Sequence, residues 1–407
     1  MKIAIVSFNL FTAGGARLTF NMAEALKKRG EDVVIYTPAL ESTDFRDLMK
    51  GLDIRVVPTG RTITYFKDKK PQGIWQWVTQ KIRHESEFLA VSRAIAGAME
   101  DGFDAVNVQD SAYRVGFYYK RRNPGARIVW TVNGAPFKYL ATGNLLRDLL
   151  GYSYQYFRRF TSWKFMVAMD DATVLANADV HWLDEFPVKH VSVVRAGLDF
   201  EKFYAPVKDI MAKAKEKKIN LLALGALNAF RRYDDVLKAV KILRDQGYEP
   251  HLTLIANNIW NEDACRDALI AYVAENHLEK NTDLHFDGVP EAELSRVYQK
   301  ADMFVQAVYV PPPGHHGWGL VNFEAMAAGL AVVICRASTA TEVLHDGEDV
   351  LLVDPLAPEQ IAEKIKFCVD HPNQYRKIAE AGQAVARGMR WENYAEGMLA
   401  TFRKPQP

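Results

Sequence analysis

Short runs rich in β-branched residues alternate with longer helical patterns along the chain, and the alternation restarts once. In the first half, Lys2–Phe8, Asp32–Tyr36, Ile54–Val57, Ala105–Val108, Arg127–Val132, Val180–Leu183 and Val191–Arg195 read as strands. Helical patterns fill Gly15–Arg29, Trp75–Ala98, Leu145–Ala168 and Asp170–Ala176. The second series has strands at Asn220–Leu224, His251–Ala256, Asp283–Phe286, Met303–Gln306, Ala331–Ile334 and Val350–Val353. Its helices are Asp234–Gln246, Asp263–Glu275, Glu291–Lys300, Asn322–Ala328, Pro358–Cys368 and Pro372–Arg387. A buried strand reaches a parallel neighbour only through a crossover, usually a helix. Two such series predict an α/β protein with two doubly wound domains. That fits 407 residues at about 100–200 per domain. The expected division is 1–203 and 204–388, with the polar stretch Asp199–Lys218 as connector.

Composition excludes several classes. With 49% hydrophobic and 25% charged residues, the chain is neither mostly disordered nor a fibrous rod. No apolar run approaches ~18 residues, so no transmembrane helix is expected. The start, Met1–Ser7, lacks the longer apolar stretch of a secretory signal. Cys265, Cys335 and Cys368 have neither a disulfide pattern nor zinc-ribbon spacing, which points to a reducing, cytoplasmic setting. Charge is uneven. Residues 1–206 hold 28 Lys and Arg against 22 Asp and Glu, a net +6, and the remainder is −5. A basic half suits phosphate, anionic lipid or an acidic glycan, although solvated faces that merely differ give the same count.

In the first half, Gly14-Gly15 lies between a strand and a helix. There the backbone can approach an anion at a helix N-terminus, or simply make a tight turn. The pattern is not GxGxxG, which argues against a dehydrogenase. Asn133-Gly134 follows Ile128–Val132. It sits where open parallel sheets bind ligands, and it also fits an ordinary Asn-Gly turn. Two segments mix aromatics with bases: Tyr65–Lys70 running on to Trp77, and Tyr156–Phe165. Such mixtures suit an anionic membrane surface, here the inner membrane face, and also sugar or nucleic-acid stacking; ordinary helix packing is the favoured account of the second segment.

In the second half, His315–Gly319 is a glycine-broken loop that runs into a short helix ending at Gly329. Outward N–H groups from Gly319 to Asn322 would meet a phosphate, and Glu324 a vicinal diol. Adjacent His315 and His316 do not share a face, so they make no metal pair. After Leu221–Leu224 comes Gly225, then Arg231 and Arg232 before a helix. Paired guanidinium groups suit a diphosphate; salt bridging to Asp234 and Asp235 is the competing use.

These residues resemble glycosyltransferase family 4, retaining enzymes of the GT-B fold that use nucleotide-sugar donors. The likeness lies in Gly317-Trp318-Gly319-Leu320 with Glu324–Gly329, in Gly14-Gly15, in Val193–Asp199 with Phe203, and in Gly225 with Arg231 or Arg232. It extends through Phe286–Val289 and Glu342–Pro355. The resemblance implies that Glu324 holds the nucleotide ribose and that residues 389–407 complete the first domain as a helix crossing back to it. It also implies two domains facing across a cleft. His316 stands where the family usually has a first glutamate, Ala226 where it has an arginine, Arg231 where it has a lysine and Asn133 where it has a histidine. The expected catalytic residues are His316, Arg231, Arg232 and Asn133. Donor contacts are expected from Gly14, Gly15, Gly225, Val289, Gly317, Trp318, Gly319, Leu320, Val321, Asn322 and Glu324. No metal, cofactor or nucleic acid is implied beyond the sugar nucleotide itself. The acceptor is expected to be a glycan, a lipid-linked sugar or a small molecule. A catalytically silent nucleotide-sugar scaffold and a sugar-nucleotide epimerase are the competing readings.

Overall fold

In the computed structural model, residues 1–8, 10, 14–40, 45–61, 63, 68, 71, 73–137, 145–311 and 317–403 are described. Contacts divide the chain into one unit of Met1–Arg195 with Trp391–Pro407 and a second of Ala196–Arg390.

The first unit holds strands β1 (Lys2–Val6), β2 (Asp32–Thr37), β3 (Asp53–Val56), β4 (Ala105–Gln109), β5 (Arg127–Val132), β6 (Asp171–Val174) and β7 (Val191–Val193). Their order is β3-β2-β1-β4-β5-β6-β7, and every pairing is parallel. The central strands are buried throughout because helices cover both faces, so they read as continuous apolar runs. Two readings of the sequence fail here. Asp170–Ala176 is not a helix but contains β6, and Val180–Leu183 is not a strand but lies in the 3-10 helix Asn177–Leu183. Asp170 and Asp171 resemble the acidic first turn of a helix. Instead they open a central strand, where Arg127 neutralises the fully buried Asp171 and Lys120 pairs with Asp170.

The second unit holds β8 (Lys218–Ala226), β9 (Glu249–Asn257), β10 (Thr282–His285), β11 (Met303–Gln306), β12 (Ala331–Cys335) and β13 (Leu351–Val353). Their order is β10-β9-β8-β11-β12-β13, again all parallel. The stretch expected to be a loose connector packs onto this unit. Phe203 is buried against Tyr298, with ring centroids 5.8 Å apart. The Ala205 N–H donates to the Ala327 carbonyl at 3.3 Å. The closing helix Trp391–Arg403 belongs to the first unit, where Arg127 donates to the Thr401 carbonyl at 2.9 Å.

In each sheet the strand order reverses direction once, between β1 and β4 and between β8 and β11. Diverging connections leave a crevice beyond the carboxyl ends of such a strand pair, the usual ligand position in open α/β sheets.

Candidate active site

In the second unit, β8 ends at Gly225-Ala226. A Cβ on Gly225 would lie 3.0 Å from Arg231 Cζ and 3.1 Å from Arg231 Nη1 and Tyr233 Oη, so a larger residue would push the guanidinium a few tenths of an ångström off the strand. The turn returning Arg231 to the strand end is capped by Asn228, whose Oδ1 accepts the Arg231 N–H at 3.1 Å. Arg231 Nη1 is buried and has no hydrogen-bond partner among the described residues. Burial pushes the neighbouring Tyr233 hydroxyl up to about 12, so it stays protonated as a donor at neutral pH.

Arg232 does something different. It adopts a left-handed conformation (φ +53°) at the start of the helix Tyr233–Asp245. Its Nε donates to Asp235 at 2.8 Å and its Nη2 to Asp234 at 2.8 Å and to Asp235 at 3.0 Å. Of the two uses open to it, Arg232 makes the salt bridges.

At the end of β11, Gly319 begins the helix Leu320–Ala327 with φ +70°. A Cβ there would stand 2.8 Å from Asn322 Nδ2. Asn322 Nδ2 donates to Gln306 Oε1 at 3.0 Å. Asn322 Oδ1 and Gln306 Nε2 are buried and unpartnered among the described residues. The Asn322 N–H, expected to face outward, donates to the Gly319 carbonyl at 2.9 Å instead. Trp318 is a core residue, stacked on Phe323 at 5.4 Å. Gly317, Leu320 and Val321 remain partly exposed, as does Val289 after β10. Glu324 is wholly buried, and its carboxylate accepts the Tyr298 O–H at 2.8 Å. His316 and most of Tyr65–Lys70 lie outside the described residues.

In the first unit, a cavity of about 250 Å³ opens beyond β1, β4 and β5, bordered by Ser7, Phe8, Gln109, Asp110, Trp130 and Arg158. Asp110 is held at φ +44°. Its carboxylate accepts the Asn133 N–H at 2.8 Å and Asn133 Nδ2 at 3.1 Å. Asp110 is exposed at the cavity, with protein atoms crowding one side of its carboxyl. Lost hydration raises its pKa, outweighing the Asn133 bonds that lower it. Asn133 Nδ2 also donates to Gln109 Oε1 at 3.0 Å, while Asn133 Oδ1 is buried without a partner among the described residues. Gly14 and Gly15 are exposed at the start of the helix Gly14–Lys28, with open space around both.

Sequence reasoning missed Asp110, Gln109 and Gln306. Gln109 and Gln306 end strands at the two points of reversal and Asp110 directly follows the first, and that position was the available signal.

A family model described as Glycosyltransferase Family 4 matches residues 12–202, and one described as Glycosyl transferases group 1 matches residues 208–385. A D-inositol 3-phosphate glycosyltransferase of Segniliparus rotundus is 35% identical over 115 residues, covering 28% of this chain and 24% of that protein. Its namesake in Corynebacterium glutamicum is 26% identical over 231 residues, 55% of this chain and 53% of that one. The matches thus span a quarter to about half of these relatives. Among solved structures, sucrose-phosphate synthase from Thermosynechococcus elongatus aligns with a TM-score of 0.74 at 18% identity, covering 99% of this chain and 98% of that one. HepE from Anabaena, solved with UDP and glucose, aligns at 0.69 with 14% identity, covering 98% and 99%. Two parallel sheets of this order, matched end to end by these structures, are the GT-B architecture. By the two models together, the chain belongs to glycosyltransferase family 4.

Proposed function

We propose that the protein is a retaining glycosyltransferase that moves a sugar from a nucleotide-diphosphate donor to a glycan, lipid-linked or small-molecule acceptor in the cytoplasm. The observation that carries this reading is Arg231, a guanidinium held against Gly225 with a buried Nη1 that has no partner among the described residues. A diphosphate oxygen is the ligand such a group lacks. Charge grows on the diphosphate as the glycosidic bond breaks, so a preorganised cation there favours the transition state over the bound substrate. No step in this scheme requires a metal. Retention follows if the acceptor attacks from the donor's own leaving-group side, with the diphosphate accepting its proton; no protein nucleophile is then needed. The buried amides of Asn322 and Gln306 offer one acceptor and one donor for the nucleotide or sugar. In this reading the ribose reaches Glu324 only when donor binding opens access to that enclosed carboxylate.

We assign the acceptor to the first-unit cavity. At about 250 Å³ it is below the ~300–1,000 Å³ of drug-sized pockets and suits a group of monosaccharide size. The Asp110 carboxyl and the Gln109 amide, which border it, are its hydroxyl-binding groups, with Asn133 holding Asp110 from behind.

A second reading has specific support. Ala226 and His316 replace family residues, and Arg232, the one cation nearby to compensate in sequence, is engaged by Asp234 and Asp235. That favours a silent nucleotide-sugar scaffold. A thermal-shift panel of UDP-, GDP-, dTDP- and ADP-sugars, followed by NMR of the anomeric products, tests both. A shift with an α-anomer retained in the product supports transfer. A shift without turnover for any acceptor supports the scaffold. No shift with any donor rejects both.

A further inference from the structure

The helix Leu145–Met166 anchors to the core only at its end, through Phe165 and Met166. The rest of its inward side carries polar groups. Arg158 pairs with Glu85 at 2.6 Å, Tyr154 donates to Glu85 at 3.2 Å, and the Ser162 and Tyr113 hydroxyls share a 2.7 Å bond. Its outward side is apolar from end to end: Leu145, Leu149, Tyr152, Tyr156, Phe160 and Trp163 recur every three or four residues. Leu145 is 88% exposed, Tyr156 74%, Phe160 75% and Trp163 46%. The 22 residues span ~33 Å at about 1.5 Å each. The helix Ile74–Ala98 extends the surface with exposed Trp75 and Ile82. It joins through Trp77, whose ring lies 5.5 Å from that of Tyr154. Helices on soluble cores bury their apolar side. A continuous outward stripe marks an interaction site.

The occupant follows from composition and charge. Six aromatic or leucine side chains are interleaved with Arg147, Arg159 and Lys164, against Asp148 as the one acid within the helix. Arg159 shares its charge with Glu185. The surrounding half of the sequence carries the +6 excess. Aromatic rings rest at lipid headgroup level, and bases draw in anionic headgroups. No helix among the described residues is long and apolar enough to cross a membrane, so the contact is one that lies on the surface. We propose that the outward face of Leu145–Met166 seats the protein on an anionic lipid bilayer. Arg158, on the inward side of the same helix, borders the first-unit cavity; that placement would bring a lipid-linked acceptor to the pocket, a link that rests on the transferase reading, whereas the bilayer contact does not.

Flotation of the full chain with vesicles of phosphatidylcholine, alone or mixed with phosphatidylglycerol, tests this. Wild type is expected to float with the mixed vesicles and to be released in part by salt. Phe160→Ser with Trp163→Ser should weaken partitioning at least about tenfold. Arg147→Glu with Lys164→Glu should also cost at least about tenfold, on anionic vesicles alone. Melting temperatures should hold, because all four side chains are exposed. Absence of flotation overturns the proposal. So does a concentration-dependent dimer in light scattering that Phe160→Ser with Trp163→Ser abolishes, since the stripe's occupant is then a second copy. Donor-induced thermal shifts read separately, so either proposal can fail alone.

Discussion

Arg231 and Arg232 are chain neighbours with opposite environments, and backbone conformation separates them. Arg232 sits at φ +53° and turns back onto Asp234 and Asp235, while Arg231 lies against Gly225 with Nη1 unpartnered among the described residues. Gly319 is a second residue set by conformation. Gly319→Ala should cost about 1–2 kcal/mol from the left-handed backbone alone, and more because the methyl meets Asn322 Nδ2 at 2.8 Å. Urea unfolding checks this, and an unchanged midpoint would contradict it. Asp110 supplies a pH test. Its pKa is raised by lost hydration, so the folded state favours the protonated carboxyl. That contribution is fully present below the unfolded pKa of about 3.9 and is lost as pH rises through the higher folded value. Because the side chain is exposed and partly screened by water, Asp110→Asn should raise the unfolding midpoint near pH ~7 only slightly, with the gain shrinking toward pH ~4.

At the scale of elements, β6 shows where a sequence is misleading. Asp171 is fully buried in a central strand only because Arg127 on β5 faces it. Asp171→Ala leaves Arg127 buried and uncompensated, and should cost about 3–5 kcal/mol by chemical denaturation. A loss below 1 kcal/mol would show that water reaches the pair. The helix Tyr113–Arg122 was given no element in the sequence reading, because Gly116 and the aromatics around it weaken the helical pattern. The structure explains the glycine: a Cβ there would stand 2.5 Å from Ile128 Cγ2 on β5. Gly116→Ala should destabilise by about 1–3 kcal/mol through overpacking. Long periodic helices and apolar strands were legible because one period determines one buried face. The reading failed where pairing across the sheet, invisible along the chain, neutralises a charge or demands a missing side chain.

At the scale of the molecule, two parallel sheets follow from the twice-run βαβα alternation, whereas their strand order is set by pairings across each sheet; membership of glycosyltransferase family 4 follows from motifs spread over both units. The glycine-arginine loop was legible in the second unit, and so was salt bridging to Asp234 and Asp235 as one use of its arginines; the burial of Glu324 was not, because it depends on Tyr298, distant in sequence. The helix Leu145–Met166 was half legible: its aromatic and basic mixture stood out, but which side faced outward needed Glu85, far away in sequence.

The central claim is that Arg231 receives a donor diphosphate. Isothermal titration should use the nucleoside diphosphate with the largest thermal shift, alongside its monophosphate, on wild type and Arg231→Met. A charge-assisted bond of about 1.5–3 kcal/mol predicts a loss of at least about tenfold for the diphosphate, with monophosphate binding little changed. Equal diphosphate affinity in the two proteins would contradict the account.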